Sequence, residues 1–337
     1  MHFSFRSRII QTPSDFKKVK TMEFNLPINR MSIGQQIESF YVLSEAASKT
    51  TAAGKPFLSA GLSDCTGSLP AMVWDYAGPI SGADAGKVVK VRGEVSEYKG
   101  SLQVTVEKIR LADENDRYDV AALVPTAPID ADVAFQGVRD LVASIEDRDY
   151  RLIAETLLDR NLEAFKTIPA AKSVHHAFLH GLLMHTSNML KTADFLASLY
   201  GEVINRSLML TGTLLHDFMK REEFGFSELG LVTEYTVKGQ LLGHLVMGAQ
   251  EVAAVAAELG IPEEKSVLLQ HMVLSHHGTP EWGAAVRPMC AEAELLSYID
   301  LIDSRMEIYK ESHEVTPVGA FSDRIFALDG KRIYHHE

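Results

Sequence analysis

What most constrains the fold of this chain is a single change of hydrophobic period. Through residue 115 the apolar residues tend to alternate. From Gln136 onward they recur at helical spacing. The stretches 68–74 and 102–109 alternate with period two, and 37–43, 56–64 and 88–95 are short and rich in β-formers. Turn signals separate them at Thr50 to Lys55, at Cys65-Thr66-Gly67 and at Tyr98-Lys99-Gly100. About five short strands in so few residues predict a small closed barrel, with Gly93 permitting a kink where a strand coils.

Beyond Pro125 and Pro128 the reading changes. Phe135, Val138, Leu141, Val142 and Ile145 share one helix face, and Leu152, Ile153, Leu157 and Leu158 continue in a second helix. Five more helices are expected over 182–200, 206–220, 238–259, 262–276 and 291–309. Pro262 starts one, and Gly260 and Gly278 stand at helix ends. The predicted organisation is an extension at 1–30, a barrel at 31–115, a connector at 116–144, a helical domain at 145–312 and a tail at 313–337.

Charge is unevenly spread. The net −12 divides into +4 for residues 1–30, −2 for 31–115 and −14 for the remainder. A bulk-acidic chain is not an obvious nucleic-acid binder, but a bound metal inverts local electrostatics and leaves a phosphate substrate open. No run approaches the ~20 apolar residues of a membrane helix, so no membrane partner is expected. The basic N-terminus lacks an apolar core and a small-residue cleavage site. It reads as an upstream extension, with Met22 or Met31 as alternative starts, rather than a signal peptide. Cys65 and Cys290 lie far apart and form no CxxC, which fits a reducing cytoplasm and argues against thiolate metal sites.

The run Leu214-Leu215-His216-Asp217-Phe218-Met219-Lys220 ends an apolar helix in adjacent metal-type ligands. It has company. Nine of the 13 histidines fall between His175 and His277, at or near helix ends: His185, His216, His244 and the pair His276-His277, followed by Asp300 and Asp303. One or two ligands from each successive helix is what an all-helical metal site requires. Taken singly, each histidine is more often a capping or core residue. Their order and helical setting favour the metal reading.

Two resemblances follow from these residues. The segments LSDCTGSLPAMVWD and GKVVKVRGEVSEYKGSLQVTVEKI resemble an OB-fold of the nucleic-acid-binding type. That likeness implies single-strand contacts from Phe57, Trp74, Tyr76 and Tyr98, with Lys55, Lys90, Arg92 and Lys99 near phosphates; half or more of such aromatics fill the interior instead. The order H…HD…H…HH…D over 145–310 resembles the HD-domain metal-dependent phosphohydrolases. By that resemblance His185, His216, Asp217 and Asp300 bind one ion, and His244, His276 and His277 bear on a second. Asp303 competes with Asp300, which is preferred because it follows an apolar pair. Lys220 matches a lysine that touches a substrate phosphate, and Met219 departs from the small residue usual before it. His180 or His277 is nominated to protonate the leaving oxygen. His175, His176 and His271 read as supporting or structural, and His313, His335 and His336 as tail residues.

Together, a small all-β OB-fold barrel followed by an all-α HD domain resembles the YhaM-type bacterial 3′→5′ exoribonucleases over about residues 31–310. HHAFLHGLLMHTSNML, EYTVKGQLLGHLVMGAQE and LSHHGTPEWGAAVRPMCAEAELLSYIDLID carry the likeness. It implies a hydrolase of single-stranded RNA, with single-stranded DNA left open, and a cytoplasmic homo-oligomer. It also implies one or two divalent ions, Mn(2+) ahead of Fe, Co, Ni or Mg. The alternative is a nucleotide or cyclic-nucleotide phosphohydrolase with the barrel as a docking module.

Overall fold

The computed structural model describes residues 26–172 and 176–337. Most of the expected N-terminal extension (1–25) and His175 lie outside the described residues.

Five strands close the barrel: β1 (Gln36–Thr50), β2 (Pro56–Asp64), β3 (Gly67–Trp74), β4 (Val88–Tyr98) and β5 (Ser101–Leu111), in the order β1-β2-β3-β5-β4 with β4 returning to β1. Strand β1 runs well past the expected Leu43. Its first half pairs with β4 and its second with β2, across an irregularity between Leu43 and Glu45. The second half is largely exposed, so it carries no apolar signal for the sequence to show. Alternate side chains fill the interior, among them Tyr41, Leu43, Leu58, Leu62, Val91 and Val104. At Gly93 a bulge bends β4, and a Cβ there would run into the Thr105 carbonyl and Val106.

After β5 the chain is locked by Arg110, whose two guanidinium nitrogens donate to the Asp116 carboxylate at 2.6 and 2.7 Å. The segment read as a connector then forms the short helix α1 (Val120–Leu123) and the longer α2 (Ala131–Ala143), which buries Val138 and Val142 in the helical core. Leu123 and Val124 pack with Phe40 and Val88 of the barrel, and Leu179, Leu229 and Leu231 lie against them.

The helical unit comprises α2, α3 (Arg148–Arg160), α4 (Leu162–Thr167), α5 (Gly181–Leu199), α6 (Arg206–Leu215), α7 (Lys220–Glu223), α8 (Val237–Leu259), α9 (Glu263–Ser275) and α10 (Ala291–Val315). A hairpin of β6 (Phe224–Phe226) and β7 (Val232–Tyr235) interrupts it. One expectation needs correction: α6 stops at Leu215 instead of running to Lys220. His216 to Met219 form turns, and helix resumes at Lys220. The residues read as a tail fold back, with Leu328 and Ile333 packed on Ile308 of α10.

Candidate metal centre

Local breaks in the helices aim the metal-type side chains. His180 adopts a left-handed conformation, which starts α5 sharply; Gly181 sits so close to the His176 carbonyl that no Cβ would fit. His216 and His276 each end a helix. Inside α8, Gly243 (φ +70°, ψ 162°) leaves helical geometry, so His244 opens a fresh helical segment. The Glu223 carboxylate accepts the buried His244 N–H, left free by the helix break, at 3.3 Å, as a cap would.

Two donor sets result, sharing Asp217. In the first, His185 Nε2 lies 3.3 Å from His216 Nε2, 3.3 Å from Asp300 Oδ1 and 3.7 Å from Asp217 Oδ2, and His216 Nε2 is 3.3 Å from the same Oδ2. In the second, Asp217 Oδ1 is 3.3 Å from His244 Nε2 and 3.7 Å from His276 Nε2. His277 joins His244 and His276, their ligand atoms all within 4.8 Å of one another. Ligand bonds of about 2.0–2.2 Å place neighbouring donors about 3.0–3.5 Å apart, close to the spacings seen.

The chemistry of the atoms also fits divalent ions. His216 and His276 donate Nδ1–H to the carbonyls of Thr213 and Val273, both at 2.7 Å. A carbonyl only accepts, so each Nε2 presents a lone pair to the centre. Asp217 Oδ1, His244 Nε2, His276 Nε2 and His277 Nδ1 are buried without a hydrogen-bond partner. The first three converge, both histidine nitrogens lying within 3.7 Å of Asp217 Oδ1, and such a cluster of orphans is costly unless a cation satisfies it. No thiol approaches the centre: Cys290 caps the start of α10 and Cys65 lies exposed on the barrel.

Electrostatics sharpen the contrast between the sets. Burial raises the Asp217 carboxyl, but Lys220 and His216 outweigh it and hold the group well below its ordinary range; Lys220 Nζ is 2.6 Å from Oδ2. Burial opposes charge on Lys220 too, and Asp217 overcomes it. His185 is pushed up to about 9, because hydrogen bonds to Asp300 and Asp303 outweigh its burial. Burial, then the neighbouring His244, drives His277 down to about 4.

The structure separates the two competing aspartates. Asp300 faces Nε2 of His185. Asp303 accepts from the other face, 2.8 Å from His185 Nδ1 and 2.9 Å from His176 Nε2. Glu223 was missed by sequence reasoning: its Oε2 stands 2.9 Å from His244 Nδ1. Nothing in the spacing of Arg221-Glu222-Glu223 marks it, because the contact depends on the break at Gly243. His180 spends Nδ1 on the Lys166 carbonyl at 2.6 Å, and His271 accepts the Met289 N–H at 2.8 Å.

On the barrel, Phe57 and Trp74 pair across β2 and β3 with ring centroids 5.2 Å apart, and Trp74 remains half exposed. Tyr98 is 60% exposed at the β4–β5 turn, with Lys99 Nζ 5.4 Å above its ring. Tyr76 turns inward onto the barrel core, and its hydroxyl accepts the Ile80 N–H at 2.8 Å. Its ring still borders a shallow cavity of about 500 Å³ shared with Lys90, Arg92 and Arg110. Arg92 is paired with Glu107 at 3.3 Å and Lys90 with Glu38 at 3.7 Å.

Known proteins share both halves. Residues 46–112 match the family model described as an OB-fold nucleic acid binding domain, and residues 182–305 match the HD domain. Over 304 residues the chain is 35% identical to the 3′-5′ exoribonuclease YhaM of Geobacillus sp. (strain WCH70), covering 90% of this chain and 92% of that one. The chain belongs to the YhaM family. Among solved structures, the second OB-fold domain of replication protein A from Methanococcus maripaludis aligns at 18% identity with TM-score 0.21, covering 27% of this chain and 98% of the other. An OB domain from Methanosarcina mazei aligns at 20% identity with TM-score 0.23, covering 27% of this chain and 85% of its own. Among the described residues no helix is long and apolar enough to cross a membrane.

Proposed function

We propose that this member of the YhaM family is a metal-dependent 3′→5′ exoribonuclease, acting on single-stranded RNA and taking single-stranded DNA as a second substrate. The observation that carries the reading is Asp217: one carboxylate serving two donor sets, with orphaned buried atoms converging on it. His185, His216, Asp217 and Asp300 would hold one ion; Asp217, His244, His276 and His277 would hold another. Bound divalent ions supply Lewis acidity toward a phosphoryl oxygen and a water made acidic enough to attack at neutral pH. The mixed nitrogen and oxygen donors, free of thiolate, suit Mn(2+), with Fe, Co, Ni or Mg as alternatives.

The chain's own residues set the rest. Lys220, buried and held charged by Asp217, sits on the cavity wall where a non-bridging phosphate oxygen would lie. His277, pushed down to about 4, is a neutral imidazole near neutral pH and a poor acid, which favours a ligand role over the acid role. His180 already donates Nδ1–H to Lys166, so a bulk water is the better source of the leaving oxygen's proton. Hydrolysis joins the water oxygen to phosphorus and breaks the bond to the upstream 3′ oxygen. That oxygen leaves with the electron pair and is protonated, and a nucleoside 5′-monophosphate is released. The barrel would hold the strand upstream through Trp74, Phe57, Tyr98 and Lys99, while Tyr76 and Arg92 border a second contact area. The two unpaired cysteines are consistent with a cytoplasmic setting, and a homo-oligomer is part of this reading.

The test is shortening of a 5′-labelled single-stranded RNA with Mn(2+) added. A ladder retreating from the 3′ end is expected, abolished in His216→Ala and Asp217→Asn proteins that keep their helical circular dichroism. Hydrolysis of free nucleotides with the labelled RNA left intact would overturn the proposal in favour of a small-molecule phosphohydrolase.

A further inference from the structure

The metal-type side chains form only one wall of a cavity of about 620 Å³. His185, His276, His277 and Asp300 line the cavity together with Trp282, Arg287 and Tyr298. The volume falls within the roughly 300–1,000 Å³ of small-ligand sites, room for one nucleotide rather than a folded strand.

Trp282 is the unusual member. The chain has two tryptophans, and this one is 62% exposed. Yet the loop that carries it is firmly built. Trp282 N–H donates to the Thr279 carbonyl at 3.0 Å, Gly283 to Pro280 at 3.0 Å, Ala284 to Thr279 at 3.1 Å and Ala285 to Leu274 at 2.9 Å. The imidazole of His271 receives the Met289 N–H and pins the far end of the loop. Gly283, at φ +106°, brings the backbone beside the Trp282 ring so near to His277 that a Cβ would lie 3.1 Å from its Nδ1. A large indole is therefore presented to solvent from a rigid turn seated directly on a metal-type ligand. No packing requirement accounts for it, because the ring buries little.

We propose that this cavity receives the 3′-terminal nucleotide, with Trp282 as the platform on which its base stacks. The inference rests on the exonuclease reading. When the bond to the upstream 3′ oxygen breaks, the terminal nucleotide keeps the phosphate and must occupy the space beyond the metal wall, which is this cavity. Stacking suits the task, since every base has a π face and an exonuclease must accept each in turn. Arg287, Tyr298, Thr279, Glu294, Ser297 and Ser304 supply polar groups to the lining.

Fluorescence tests this directly. In a Trp74→Phe protein Trp282 is the sole tryptophan, and adenosine 5′-monophosphate with Mg(2+) should quench its emission saturably. Ribose 5-phosphate, which lacks a base, should not. Absence of quenching by the nucleotide, or equal quenching by both, overturns the assignment. Kinetics provide the second arm. Trp282→Ala should raise KM for single-stranded RNA roughly 10- to 100-fold with kcat little changed, and Trp282→Phe should restore most of it. A loss confined to kcat, or a Trp282→Phe protein as impaired as Trp282→Ala, would mean a merely structural loop and sink the proposal. If the unmutated protein fails to shorten RNA, the exonuclease reading falls by itself; if it shortens RNA while Trp282 ignores nucleotide, only this subsite falls.

Discussion

Two carboxylates that would touch no metal should control the two ions separately. Asp303 holds His185 of the first donor set, 2.8 Å from Nδ1, and Glu223 holds His244 of the second, 2.9 Å from Nδ1. Asp303 accepts from His185 Nδ1 and keeps the proton there, and the negative charge of Glu223 beside His244 Nδ1 favours the proton on that nitrogen, leaving each Nε2 free to bind. An amide in its place keeps the volume but removes the charge and can turn its NH2 toward the imidazole. Losses of about 10- to 100-fold in metal affinity are typical when such a partner is removed, equivalent to roughly 1.4–2.7 kcal/mol. For Glu223→Gln the loss should lie in the upper half, because the same group also caps the His244 N–H. The assay is equilibrium titration of metal-free protein with Mn(2+), read by calorimetry and by competition with a chromogenic chelator. The parent protein should bind two ions per chain. Glu223→Gln should weaken one binding step and Asp303→Asn the other, with circular dichroism unchanged. A parent stoichiometry of one, or both substitutions weakening the same step equally, would refute the argument that Asp217 divides the centre into two sets.

Three further outcomes follow from the fold. Gly243→Ala forces a side chain onto φ +70°, ψ 162°, a strain of order 1–3 kcal/mol, so it should lower the melting temperature and weaken the ion held by His244 more than the other. Gly93→Ala drives a Cβ into the Thr105 carbonyl at the barrel bulge and should destabilise the barrel by about 1–3 kcal/mol in urea melts, leaving metal stoichiometry intact. Asp116→Asn removes the forked contact with Arg110. Hydrogen bonding to Arg110 lowers the Asp116 carboxyl from 3.8 to about 2, so its contribution is complete above pH 3.8 and lost as pH falls through about 2. With the Arg110 side chain about half exposed, the difference between parent and variant should be about 1 kcal/mol at neutral pH, vanishing only below about pH 2 in denaturant melts.

What could be read from the chain and what could not divide along a physical line. The alternation in 68–74 and 102–109, and the apolar faces of α2 and α3, depend on neighbours close in sequence, so the barrel and the start of the helical unit were both legible. The candidate ligands stood out for the same reason: His216-Asp217 and His276-His277 are adjacent pairs placed at helix ends. Legibility failed wherever a backbone break mattered. The early stop of α6 at Leu215 could not be read because Leu214 through Met219 stay apolar around the pair. Glu223 was invisible because its partner lies across the hairpin and beyond the turn at Gly243, 21 residues away.

The choice between Asp300 and Asp303 shows the limit most clearly. On one helix at i, i+3 they share a face, and sequence spacing cannot say which of two carboxylates reaches a shared histidine from which side. The structure sets the two apart through His185, whose Nε2 lies 3.3 Å from Asp300 Oδ1 and whose Nδ1 lies 2.8 Å from Asp303 Oδ2. Both carboxylates therefore bear on the same imidazole, Asp300 from the side of the donor set and Asp303 from behind, where His176 also leans on it. Exchanging their roles would require His185 to flip, which the Asp303 contact opposes. A second copy of either aspartate is then no substitute for the other: Asp300→Asn should abolish one ion outright, whereas Asp303→Asn should only loosen it. A pair of titrations that gave the two variants the same affinity would mean that the face, and not the individual carboxylate, is what the ion requires.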